Sequence, residues 1–564
     1  MTMNEKTILK PSIAARQGFL QIHPEDNVLV ALHDLPRGTV IDFNGRSFPL
    51  PQDIPAKHKF LTRPVPAGKG VYMYGVLVGL LNSDLPEGGR ITRENTIHST
   101  EKAVIRDRRY IWTPPDTLHF ANRQFMGYHR ANGKIGTANH WIIVPLVFCE
   151  NRNVDMLRQA FTDKLGYGKT SPYQAKTERL IDLYKKGATA DEISQATFAT
   201  QQQAGQDHRL FKNIDGVKFL THHMGCCSPR TDAASLCGLI AGYITHPNVG
   251  GATILSLGCQ NAQLDMLEAE IKRRDPNFNK PLVLLEQQRV GTETHFMDEA
   301  LRQTFVGLIR ANEAIRQPAS ISQLCMGLEC GGSDGFSGIS ANPALGHASD
   351  LLVACGGSSI LSEFPELCGA EQELVDRCVS NASAEKFLHL MEVYHARAEK
   401  DGSGFYANPT EGNIRDGLIT DAIKSLGAAR KGGSAPVADV LDYPEPCTKS
   451  GLNLLCTPGS DIESVTALVG AGANIVLFTT GMGTPTGNPI APTIKLSSNT
   501  QLYKKMSDII DIDCGSIIEG ASTIEELGQE ILDYVIRAAS GQTTPRAVQL
   551  GQDDFMPWKR GISL

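Results

Sequence analysis

The chain has 564 residues, of which 41% are hydrophobic and 20% charged, and its formal net charge is −7. That length exceeds what one hydrophobic core organises, so several domains are expected, and short basic runs such as Arg106–Arg109 and Lys272–Arg274 read as solvated faces, excluding a nucleic-acid partner. No apolar run approaches the roughly 18 residues of a membrane span and the polar start through Gln17 lacks a signal peptide's apolar centre, so the expectation is a cytoplasmic protein with no membrane partner.

Between Leu20 and Asn95 one turn recurs, an aliphatic residue followed by proline: Leu35-Pro36, Ile54-Pro55, Val65-Pro66 and Leu85-Pro86. Short β-rich runs, Val28–Leu32 and Val71–Gly75, separate these corners, which predicts a compact β domain over residues 1–100. Residues 101–124, charged and then holding Pro114-Pro115, read as a linker. Beyond it, short apolar runs alternate with helical segments: Ile142–Phe148, Val217–Thr221, Thr253–Leu257, Leu282–Leu285, Leu351–Ala354, Leu452–Leu455 and Ile475–Phe478. Runs of that length are what strands covered on both faces look like, so two α/β domains with mainly parallel sheets are expected, over 125–400 and 401–564.

A helix is predicted over Ala384–Lys400 from the spacing of Phe387, Leu390, Met391 and Tyr394. The Gly, Asn and Pro-rich stretch 402–412 follows as a linker or, better, a binding loop. A late helix opens on a capping box at Ser522-Thr523-Ile524-Glu525 and runs to about Ser540.

Thirteen cysteines, scattered and odd in number, argue for reduced thiols, some of them free to act as ligands. Cys259 and Cys355 read equally well as core cysteines. The run Glu329–Ala344, ECGGSDGFSGISANPA, is the densest in chemistry, with four glycines and three serines in sixteen residues. Exposed amides and hydroxyls at that density suit a polar ligand, and Ser333, Ser337, Ser340 and Asn342 offer donors and acceptors to a hydroxylated or carboxylated one.

This run, continuing through His347 to Val353, resembles the signature CGGSDxFSGxTANPAxGxASDLLV of the altronate and galactarate dehydratases, iron-requiring sugar-acid hydro-lyases. Similar stretches lie at IHPEDNVLVAL from Ile22, IPAKHK from Ile54, GTANHW from Gly136, GCC from Gly225, LGCQ from Leu257, GAEQ from Gly369, NPTEGN from Asn408 and FTTGMGTP from Phe478. The resemblance spans nearly the whole chain and is strongest to the altronate branch. It implies that the β domain is a SAF-type β-clip and that the substrate is a small sugar acid, D-altronate, converted to 2-keto-3-deoxy-D-gluconate in hexuronate breakdown. A homo-oligomer is expected. A galactarate dehydratase, a sulfolactate sulfo-lyase and a sugar-acid binding protein without chemistry are the alternatives.

Removing water from a 2,3-dihydroxy acid requires a proton taken from C2 and hydroxide expelled from C3, work for a base, an acid and a Lewis acid. The resemblance implies iron, with Cys226, Cys259 and Cys330 as family cysteines. Three thiolates suit an iron-sulfur cluster, whereas mononuclear Fe2+ would draw on His23, Asp26, His58 and His98. Lys424 or Lys431, within DAIKSLGAARKGG, is the expected base, through a pKa lowered by desolvation. His58 is the competing base or the acid, and Asp334 orients either or caps its loop. Asn408, Asn413 and Thr480 are expected to bind substrate. Two departures from the family pattern stand out: Cys227 where many relatives have glycine, and Met482 where many read arginine, which tilts the substrate toward a monocarboxylate.

Overall fold

The computed structural model describes residues 18–106, 110–168, 172–198 and 208–561. The start through Gln17 and the Asp107–Arg109 part of one basic cluster lie outside them. No helix among the described residues is long and apolar enough to cross a membrane.

The N-terminal module is all β, and its proline corners work in pairs. Leu35 and Ile54 exchange two backbone hydrogen bonds, as do Val65 and Leu85. Three of the four corners are tightened by an aspartate: Asp34 accepts from the Ala56 amide at 2.8 Å, Asp53 from Arg37 at 2.7 Å and Asp84 from Ala67 at 2.7 Å. Strands Val28–Ala31 and Gly70–Met73 form where the apolar runs predicted them. The module is docked rather than free. Lys57 pairs with Asp334 at 3.0 Å, Lys59 donates to the Gly417 carbonyl at 2.7 Å, and Thr420 donates to the Val78 carbonyl at 3.1 Å. The segment expected as a linker is likewise held down, Trp112 donating to Ser434 and Tyr110 to the Ser434 carbonyl.

A four-stranded parallel sheet follows, in the order Gly216–Phe219, His140–Pro145, Val249–Ser256, Leu282–Glu286. A small antiparallel sheet, Ile135–Gly136, Gln124–His129 and Arg316–Ser320, leads to the last unit. There, seven parallel strands lie in the order Val437–Leu441, Gly451–Leu455, Ser358–Leu361, Cys325–Cys330, Ile475–Thr480, Thr493–Ser497, Ile512–Asp513. The expected division at residue 400 falls inside this sheet, because strands from before and after it are hydrogen-bonded neighbours.

Two local expectations are corrected. Leu351–Ala354 is not a strand but the last turn of the helix Ala341–Ala354, and a short apolar run on a helix buried along most of its length is indistinguishable by composition from a covered strand. The late helix, Ile524–Ala539, is capped one residue later than expected, by Thr523 with Glu526 in the box. The helix over Asn381–Lys400 forms as read, three residues longer at its start.

Candidate active site

The central strand of the seven-stranded sheet, Cys325–Cys330, has a later strand on each side: Ser358–Leu361 comes next in the chain, Ile475–Thr480 after a long crossover. The crevice beyond its carboxyl end is therefore a switch point, where parallel sheets leave room for a ligand. Cys330 ends that strand. Gly331 follows, where a Cβ would strike the Asp461 carboxylate, and Gly332 takes a left-handed φ of 57°. Only glycine suits both requirements.

Around Cys330 the fold buries a set of charges. The Lys431 ammonium donates to Cys330 Sγ at 2.8 Å and to Glu363 Oε2 at 2.5 Å, and both members of this ion pair are only 1% exposed. Glu366 Oε2 lies 3.2 Å from the same sulfur. Lys424 donates to Glu366 Oε1 and to Asn408 Oδ1, each at 2.6 Å, while Asn408 donates back to Glu366 at 3.1 Å. Glu329, fully buried, accepts from Ser464 and Ser362. Glu363 is held at a left-handed φ of 65°, a conformation that non-glycine residues adopt mainly where a site demands it.

These neighbours set the ionisation. Burial and the two carboxylates push the Cys330 thiol well up, although Lys431 opposes them. Burial also raises Glu363 and Glu329, whereas Glu366 is held low because Lys424 and Lys431 outweigh its burial. Asp461 is pushed up to about 7 by burial and by Glu363 and Glu366. The lysines depart from expectation. Burial does act to lower both, but for Lys424 it is outweighed by Glu366 and Cys330 and for Lys431 by Cys330 and Glu363, so both stay ammonium.

A cavity of about 470 Å³ opens onto this set, lined by Cys330, Ser333, Glu366, Asn408, Lys424 and Asp461, with Tyr394, Phe405 and Met482 on its apolar side. The stretch 402–412 thus serves as a wall of the cavity. A larger cavity of about 810 Å³ lies elsewhere, but its Lys218 is paired with Asp553 and its Arg316 with Asp215, and no group of three metal-ligating side chains among the described residues falls there. The smaller cavity carries the reactive groups.

Of the residues expected in the site, Cys330, Ser333, Asn408, Asn413 and Lys424 line this cavity and Lys431 lies directly behind it. Asn413 holds the loop, donating to the Ser333 carbonyl at 2.7 Å. Asp334 binds Ser337, Ser498 and Lys57 and fixes the loop's backbone instead of facing the cavity. Asn342 bonds Gly427 and Thr479, and Thr480 accepts from the Met482 and Gly483 amides, so both are structural bonds beside the site. His58 reaches the Arg415 carbonyl with Nε2 at 3.2 Å while its buried Nδ1 has no partner. Burial and Lys59 lower its pKa.

Among the described residues no cluster of three ligands includes His23, Asp26, Cys226 or Cys259. Asp26 spends its two oxygens on the His23 and Gly75 amides. Cys226 and Cys227 have sulfurs 3.7 Å apart, and the Asn261 amide ties the Cys226 loop to that of Cys259, beyond the ends of strands in the four-stranded sheet. The Cys330 cavity does not include them, and Cys259 is exposed, not core. Cys355 is half-buried.

Glu329, Glu363, Glu366 and Asp461 escaped the sequence reading. For Glu363 and Glu366 the signal was present in ILSEFPEL from Ile360, where two acids three residues apart interrupt an apolar run that has no reason to carry them.

Comparison with known proteins decides the family. The chain matches the family models "Altronate/galactarate dehydratase SAF domain" over residues 17–99, "D-galactarate dehydratase/Altronate hydrolase, second domain" over 127–312 and "D-galactarate/Altronate dehydratase, C-terminal" over 321–563. It is 33% identical to the altronate dehydratase of Escherichia coli (strain K12) over 530 residues, 93% of this chain and 96% of the relative. The chain belongs to the altronate/galactarate dehydratase family. The altronate dehydratase of Bacillus subtilis (strain 168) is also 33% identical, over 97% of this chain and all of the relative. The E. coli galactarate dehydratase (L-threo-forming) is 30% identical over 94% and 95%. As a member of this family of hydro-lyases, the chain opens with a SAF domain, and its later domains carry the parallel sheets read from the apolar runs.

Proposed function

We propose that this enzyme removes water from altronate, giving the 2-keto-3-deoxy acid, and that it uses iron to do so. The observation that carries the reading is the buried set Cys330, Glu363, Glu366, Lys424 and Lys431 opening into a cavity walled by Ser333, Asn408 and Asn413.

The donors suit an iron ion: Cys330, Glu363 and Glu366 offer one sulfur and two carboxylate oxygens within 4.8 Å of one another, and Glu363 Oε1 is buried with no partner. Iron bound there would act as a Lewis acid toward the substrate's oxygens. The protein's own groups do the remaining work. Lys424, fixed as an ammonium by Glu366 and Asn408, neutralises the substrate carboxylate and so makes the C2 proton removable. Asp461, titrating near 7, takes that proton. The C3–O bond breaks as the C2–C3 double bond forms, and the acid form of Asp461 returns the proton to the departing hydroxide. Water and an enol result, and the enol tautomerises to the ketone. Atoms and charge balance without a co-reactant.

Met482 supports altronate over galactarate, since an apolar side chain in the cavity wall gives a second carboxylate nothing to pair with. The test is anaerobic, iron-supplied protein offered a panel of aldonates and aldarates, scored for 2-keto-3-deoxy product. Turnover of altronate supports the reading, and turnover of galactarate alone overturns the substrate choice.

A further inference from the structure

Apart from the cavity, a second group of metal-ligating side chains stands where the SAF domain leaves its last strand. His98, Cys368 and Asp421 each bring one ligand atom within 4.8 Å of the other two. His98 Nδ1 lies 3.7 Å from Asp421 Oδ1, is buried and accepts no hydrogen bond. A tetrahedral cation with bonds of about 2.0–2.3 Å holds neighbouring donors about 3.3–3.7 Å apart, so the arrangement needs only a small contraction.

The three residues come from three segments that touch. His98 directly follows the strand Thr96–Ile97, Cys368 follows the turn Phe364–Leu367, and Asp421 opens the helix Asp421–Ala429. Gly369 lies among them: a Cβ there would come within 3.0 Å of both the Thr100 and Ala422 side chains. Close packing without a side chain at Gly369 draws the ligands together. His98 is 30% exposed and Asp421 10%, which leaves one side open for entry and for a water as fourth ligand.

We propose that His98, Cys368 and Asp421 form a second metal site, for a divalent cation of the zinc class, separate from the reaction centre. Imidazole, thiolate and carboxylate together select such a borderline ion over calcium or magnesium, which take oxygen alone. The site is a clamp. Glu366 lies two residues before Cys368 and Lys424 one helical turn after Asp421, so one ion would tie the SAF domain's exit to both segments that carry the reactive pair.

Full-length protein stripped by chelator and titrated with Zn2+ tests the proposal without reference to activity. Wild type and Cys330→Ser should both retain the equivalent that Cys368→Ser loses. His98→Gln, which keeps the thiol, should bind that equivalent about a hundredfold or more weakly. In crystals grown with Zn2+, an anomalous peak should lie between the three side chains. Equal uptake by wild type, Cys368→Ser and His98→Gln, or no peak there, would overturn it. These readouts stand whether or not altronate is the substrate.

Discussion

Replacing Lys431 by methionine tests whether the buried charges hold one another. Methionine keeps the length and removes the cation. Glu363 would then retain a hydrogen bond from the Cys330 amide at 3.1 Å but lose its partner at 2.5 Å, at a site 1% exposed. Breaking a buried pair by removing one member costs about 3–5 kcal/mol, a large part of the roughly 5–15 kcal/mol that holds a domain folded. The sign with pH follows from Glu363. Burial already raises its pKa and losing Lys431 raises it further, so the folded variant binds a proton that the unfolded chain releases near the ordinary carboxylate value of about 4.3. Stability is then retained in acid and lost as pH rises, and the deficit should be larger at pH 8 than at pH 5. In denaturant unfolding, the emission of Trp112, bonded to Ser434, and of Trp558, stacked on Tyr394, reads this domain, while Trp141 reads the four-stranded sheet. Adding Glu363→Gln should recover most of the loss at pH 8. A deficit below about 1 kcal/mol, or one unchanged by pH and by the second substitution, would refute the coupling.

Four further outcomes follow from the same geometry. Asp461→Asn should lower kcat/KM by about 10²–10⁴ and abolish solvent deuterium exchange at C2; the wild-type kcat/KM should rise with pH through about 7, and exchange that survives in the variant would return the base role to Lys424 or His58. Lys424→Ala should raise KM and lower kcat while leaving some C2 exchange, measured by mass change of recovered substrate. Met482→Arg should shift the ratio of galactarate to altronate turnover upward by about ten- to a hundredfold, the value of one charge-assisted pair, and an unchanged ratio would take Met482 out of specificity. Gly335→Ala drives a Cβ into the Lys57 and Asp416 carbonyls, so limited proteolysis should cut between the SAF domain and the rest faster than in wild type.

Local signals in the chain determined much of this protein. Proline corners, apolar runs and the glycine-serine segment depend on near neighbours alone, and they marked the β module, six of the seven strands read from apolar runs and one wall of the cavity. Leu351–Ala354 failed because a four-residue apolar run is too short to show the periodicity that separates helix from strand. Only the tertiary structure decided which distant groups meet. Cys330, Glu363, Asp461 and the Lys424–Lys431 stretch come from four separate segments, and the parallel sheet brings the first three to the carboxyl ends of its strands. Cys226 and Cys259, equally plausible by type, lie in loops beyond the strands of another sheet. The lysines' ionisation was decided in the same way: a buried lysine loses its proton when alone and keeps it beside glutamates, and which of the two applies depends on contacts that no short stretch of sequence contains.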